Sequence, residues 1–147
     1  MPPPAAVKIA LGSNRTKWTE AAEFVGRVAI AAIFIMSGTW KLFGDTAQTV
    51  RFMESYGVPL AGVLVYPAGL VELLAGVALA VGYRARIAAV VLALYTVLVT
   101  PIFHAFWAAP PDQAMVQMLF FTKNVAIFGS LLYVAAHGSW GVALKPG

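Results

Sequence analysis

The sequence contains no cysteine, and only 11% of its 147 residues are charged. The first absence excludes disulfides, thiolate metal sites, thiolate-ligated iron–sulfur clusters and dithiol redox chemistry within this chain. It does not report the compartment. The second absence says more. A soluble domain of this length carries about 25% charged residues because its surface faces water. Ten basic and six acidic side chains cannot wet such a surface, and 61% of the residues are hydrophobic. Mean hydropathy is +0.81, so lipid is the expected solvent for most of the chain. Most of the net charge of +4 falls in loops and tails and reads as topology and lipid headgroup contact. Basic runs interleaved with aromatics are missing too, so no nucleic-acid partner is expected.

What the sequence does contain is four apolar stretches, at residues 21–43, 60–82, 87–107 and 115–136. Each is close to the ~20 residues that cross a bilayer as helix. The breaks carry turn chemistry: Gly44-Asp45, Gly57-Val58-Pro59, Gly82-Tyr83-Arg84-Ala85-Arg86, Ala109-Pro110-Pro111-Asp112 and His137-Gly138. The expected fold is an all-α membrane protein: a four-transmembrane-helix bundle over 21–136, flanked by tails at 1–20 and 137–147. Pro2, Pro3, Pro4, Lys8, Arg15 and Lys17 make the first tail too polar for the apolar core of a signal peptide, so the first span is expected to stay as an anchor. Trp18, Trp40, Trp107 and Trp140 all fall near span ends, as an interfacial belt requires.

Lys8, Arg15, Lys17, Arg84, Arg86 and Lys145 fall on one side of such a bundle, and Arg51 alone on the other. The positive-inside bias then predicts both termini in the cytoplasm. In the first outer loop, residues 46–56, Val50 and Met53 share a helical face away from Gln48, Arg51 and Glu54. That spacing suits a short amphipathic segment at the outer surface, with a plain connecting loop as the alternative.

The informative residues are polar groups inside the apolar runs. An ionisable side chain at the centre of a spanning helix costs about 2.5–3.5 kcal/mol on insertion scales, so such groups turn inward and pair. The first span holds Arg27, Ser37 and Lys41; the second Glu72; the third His104; the fourth Thr122, Lys123 and Asn124. Gly69, Glu72 and Gly76 follow i, i+3, i+7, with Gly62 one heptad earlier, so the carboxylate lies on a small-residue face suited to close helix packing. Placing each residue by helical rise from its span end predicts a central ionic cluster of Glu72 with Lys123 and Arg27. It also predicts an outer polar pair of Lys41 and His104. Two readings of these charges stay open: a ligand pocket, or an ion network that only fixes helix register. His104 has no His, Cys or carboxylate at ligand spacing, so no metal site is expected. Pro67 and Pro101 read as local kinks.

Seven short stretches recur in an order and spacing that resemble the DoxX-like family of four-helix membrane proteins. They are Gly26-Arg27, Ser37-Gly38-Thr39-Trp40-Lys41-Leu42, Tyr56-Gly57-Val58-Pro59, Val71-Glu72-Leu73-Leu74-Ala75-Gly76, Gly82-Tyr83-Arg84-Ala85-Arg86, Phe103-His104-Ala105-Phe106-Trp107 and Phe121-Thr122-Lys123-Asn124-Val125-Ala126. They cover nearly everything from 26 to 132. Ala75 departs from the pattern, standing where a glycine is common. The resemblance implies a multi-pass protein of the bacterial cytoplasmic (inner) membrane, with the family signature on Arg27, Lys41, Glu72, His104, Lys123 and Asn124. Relatives are linked to thiosulfate:quinone oxidoreductases and other membrane-associated oxidoreductase assemblies.

The candidate polar pocket is therefore Arg27, Ser37, Lys41, Glu72, His104, Lys123 and Asn124. The expected function is a membrane component of an oxidoreductase or stress-related assembly rather than an enzyme by itself. Its pocket would take a quinone headgroup or a small anion; a quinone is the one cofactor the resemblance suggests. Expected partners are the lipid bilayer, other membrane or redox-complex subunits, and further copies of the chain. Two other classes remain: a small-solute or proton-coupled transporter working through Glu72, and a non-catalytic scaffold or assembly factor.

Overall fold

In the computed structural model, residues 17–138 and 143–144 are described. Among them the regular structure is helical: α1 Lys17–Phe43, α2 Thr46–Ser55, α3 Ala61–Val81, α4 Ala85–Phe103 and α5 Pro111–His137. A single 3-10 turn, Phe106–Ala108, follows α4. All of these but α2 and the 3-10 turn are long and apolar enough to cross a membrane. The outward faces support this, since Val63, Leu74, Leu94 and Leu98 are each more than 60% exposed; lipid covers such a surface at no cost. Trp18, Trp40 and Trp107 lie exposed on the outside near helix ends, while Trp140 lies outside the described residues.

Local sequence explains the boundaries. Asp45 caps α2 by accepting from the Gln48 N–H at 2.8 Å. Gly82 ends α3 at φ 73°, and the N–H groups of Gly82 and Tyr83 return to Leu79 and Ala78. Pro111 opens α5 where its missing N–H is harmless. The first-loop segment is the helix α2, and its Val50 and Met53 pack on Ala61, Val65 and Phe103. Arg51 and Glu54 stay exposed.

The spans form a ring in which α1 lies against α3, α3 against α4, and α4 against α5; α5 meets α1 again only over a short stretch. The end of the bundle nearest the chain termini (the tail side) is closed by a core of Ala31, Phe34, Leu79, Ala85, Ala89, Leu92 and Leu131. Small side chains on α4 let α3 and α5 approach it there. Toward the other end, the loop side, the ring opens.

Candidate functional site

The site begins with glycines. A Cβ on Gly38 would lie 2.7 Å from the Gly69 carbonyl and the Leu73 N–H, and one on Gly69 would lie 2.8 Å from Leu42. No larger residue permits so close an approach of α1 to α3. Gly69, Glu72 and Gly76 are buried on the facing side of α3, whereas Gly62 has open space around it.

That contact places Ser37 and Lys41, one helical turn apart on α1, against Glu72. Lys41 Nζ donates to Glu72 Oε2 at 2.8 Å and to Ser37 Oγ at 2.6 Å. Ser37 Oγ lies 3.1 Å from Glu72 Oε1 and donates to the same carboxylate. Tyr95, from α4, stands beside Glu72 with its hydroxyl toward the carboxylate. The carboxylate is 5% exposed. Lys41 and Ser37, donors from α1, satisfy it there, as a buried anion requires.

This partnership corrects the expected one. Glu72 meets Lys41, not Lys123 or Arg27, and Lys41 does not pair with His104. The reason is axial offset. Gly38 sits level with Gly69 and Leu73, and Gly76 level with Phe34 and Ile35, so about six residues of α3, roughly 9 Å, extend past the end of α1 on the loop side. Lys41, near the end of its own helix, is therefore level with the middle of the next. Arg27 is carried the other way. It lies buried at the tail-side end of α3, where Nε donates to the Ala80 carbonyl at 3.4 Å and Nη1 stands 3.8 Å from Glu23.

The open half of the ring encloses a cavity of about 540 Å3. Ser37, Lys41 and Glu72 form one polar patch of its wall, and His104, Lys123 and Asn124 also line it; Arg27 does not. The rest of the wall is apolar, with Ile33, Leu98, Val99 and Ile102 among its residues, and α2 contributes Thr49, Phe52 and Met53. His104 Nδ1 is 2.9 Å from Gln117 Oε1, and Gln117 Nε2 donates to the Tyr56 hydroxyl at 3.0 Å. Phe52, Tyr56 and Phe103 stack at centroid distances of 4.9–5.6 Å, fastening α2 to the end of α4. Asn124 donates to Thr100 at 3.1 Å, beside a second cavity of about 270 Å3 between α4 and α5. Lys123 lies with its ammonium 4.8 Å from the Phe120 ring centroid.

Tyr95, Gln117, Thr96 and Thr100 were not among the sequence candidates. Tyr95 carried a readable signal: a phenol in the middle of a span, away from the interfacial belt, needs an internal acceptor. Thr96 and Thr100 bond their own helix, to the carbonyls of Leu92 and Thr96, which no sequence pattern distinguishes from ordinary packing.

Fold and cavity together define a class: a four-span helical membrane protein that holds a mostly apolar chamber with an ion pair in its wall. Comparison with known proteins narrows it. The DoxX family matches over residues 22–105, and the chain belongs to that family. The SURF4 family matches over residues 67–145, sharing the second and third spans with the first match. The chain is similar to the inner membrane protein YphA of Escherichia coli (strain K12), at 32% identity over 82% of this chain and 85% of that protein. It is likewise similar to the inner membrane protein YqjF of the same organism, at 33% identity over 78% and 82%. No solved structure was found to match it. With its four membrane-spanning helices, the chain is a multi-pass inner-membrane protein.

Proposed function

We propose that the protein is a ligand-binding membrane component of an oxidoreductase or stress-related assembly, and that its cavity takes the headgroup of a membrane-soluble quinone. The observation that carries this reading is the cavity itself: about 540 Å3, mostly apolar, with polar groups from each of the four spans at its wall. A quinone offers what such a chamber recognises, a flat apolar ring with carbonyl acceptors, and the size falls within the range of small-molecule sites. Lys123 and the second N–H of Asn124, whose other N–H is given to Thr100, are the chain's own donors toward those acceptors. Electrons would come from a partner subunit, since this chain has no thiol. A small inorganic anion suits the apolar wall less well. Proton- or cation-coupled transport needs a carboxylate free to meet its ion, and Glu72 is held by Lys41 and Ser37.

Lys17, Arg84 and Arg86 gather on the tail side while Arg51 stands on the loop side, which supports placing both termini in the cytoplasm. With no native cysteine to interfere, Glu54→Cys should react with a membrane-impermeant maleimide in intact cells and Lys17→Cys should not. The reverse pattern inverts the topology.

The functional test is purification in native lipid discs, extraction of bound quinone, and titration of the emptied protein with a short-chain quinone followed by tryptophan quenching. Saturable binding that Val99→Trp abolishes supports the reading. No copurifying quinone and no saturable quenching would leave a scaffold.

A further inference from the structure

We infer that the cavity is built for an amphiphile whose headgroup carries a negative charge, with Lys123 as its counter-ion. The inference rests on the reading above only in naming a quinone as carrier of that headgroup. It begins with the charges that face the chamber: Lys41, Glu72 and Lys123, together with His104, which is engaged with Gln117. Lys41 and Glu72 cancel each other at 2.8 Å. Among the described residues, no carboxylate lies within ion-pair distance of Lys123. Its neighbours do not compensate it. The Thr122 hydroxyl donates to the Met118 carbonyl, and Asn124 is turned to Thr100. The wall therefore carries one net positive charge.

Position makes that charge consequential. Lys123 lies near the middle of α5, roughly 18 Å from the nearer helix end at 1.5 Å per residue. A lysine stem reaches only a fraction of that distance, so the ammonium cannot snorkel to water as lysines near helix ends do. The Phe120 ring, 4.8 Å away, offers partial stabilisation but no neutralisation. Lys123 is exposed at the rim of a chamber whose other walls include Ile33, Leu98 and Ile102. An anionic head against Lys123 with an apolar ring or chain along those walls satisfies both the charge and the apolar surface. An uncharged ligand satisfies only the second.

Two probe pairs test this on the full-length protein in lipid discs. The first is 2-hydroxy-1,4-naphthoquinone, an anion at neutral pH, and its uncharged 2-methoxy ether. The second is decanoate and decanol. A close ammonium in a site of intermediate dielectric should favour the anion of each pair by about tenfold or more. Lys123→Gln should bring each pair to parity, while Lys123→Arg keeps the preference. Lys123→Gln should also raise the melting temperature of the ligand-free protein, because it removes an uncompensated charge; loss of a structural partner would lower it. A charge preference that survives Lys123→Gln overturns the inference, as does binding of either pair without preference. Naphthoquinones that fail while decanoate outbinds decanol through Lys123 uphold the anionic headgroup and remove the quinone. Failure of all four probes overturns both readings.

Discussion

At the tail side, Ala31, Leu79, Ala89 and Leu131 meet with no exposed surface; at the loop side, where α1 still touches α3 at Gly38 and Gly69, the four helices surround a cavity of about 540 Å3. Composition does not separate the two halves, since both are drawn from Ala, Val, Leu and Ile. What differs is the run of alanines on the inward face of α4 in one half and the polar groups around the cavity in the other. Ala85, Ala88, Ala89 and Ala93 line α4 where the ring is closed. Tyr95, Thr96 and Thr100 follow on the same helix, with His104 just past its end, where the ring is open. Small side chains let helices meet. Polar side chains take their place along the open half, bonded within α4 or, at Asn124, across to it, and α2 contributes to its wall from the loop end. One half of the bundle is thus organised for cohesion and the other for access.

This contrast is open to direct attack. The largest effect is expected from Glu72→Ala, which leaves the half-buried Lys41 and Ser37 without their acceptor and should destabilise the protein by about 3 kcal/mol or more. A drop in membrane level and in detergent melting temperature would register it. Pairing Glu72→Leu with Lys41→Met should recover much of that loss, because a hydrophobic pair of similar volume often replaces a buried ion pair without penalty. No recovery in the double variant would mean that the pair does more than satisfy itself. Next comes Leu131→Ala in the closed half, worth about 3 kcal/mol through the cavity it leaves. It should leave the proposed quinone binding intact in whatever protein remains folded. Gly38→Ala should come third, at about 1–3 kcal/mol, since its Cβ meets α3 backbone that cannot yield without moving a helix. Smallest is Gln117→Leu, about 1 kcal/mol for the lost bonds to His104 and Tyr56. Here the ligand should report more than stability does, because α2 and His104 border the chamber. If Leu131→Ala weakened binding and Gln117→Leu did not, the division into a cohesive half and an accessible half would be wrong.

Much of this molecule is legible before any coordinates. Length and hydropathy set the spans, because a bilayer of fixed thickness admits helices of one length. The heptad spacing of Gly69 and Gly76 around Glu72 announced the inward face of α3. The loop helix was visible in Val50 and Met53. Depth, in contrast, was misjudged at Lys41 and Arg27, because counting residues from span ends treats every helix as starting and stopping in the same two planes. Here α1 begins well before α3 ends on the tail side and stops short of it on the loop side. The same error assigned Glu72 to Lys123.

Two kinds of information divide between sequence and structure. The sequence alone determined the membrane as solvent, the number of crossings and the identity of every polar group inside them, since insertion energetics act on each segment separately. Which of those groups meet was decided only by tertiary structure. Pairing depends on the relative axial shift of two helices, and that shift is set where Gly38 lets α1 settle against the backbone of α3, a contact between residues far apart in the chain. Lys41 reaches Glu72, and Lys123 is left facing the chamber, because of a helix offset that no local pattern encodes.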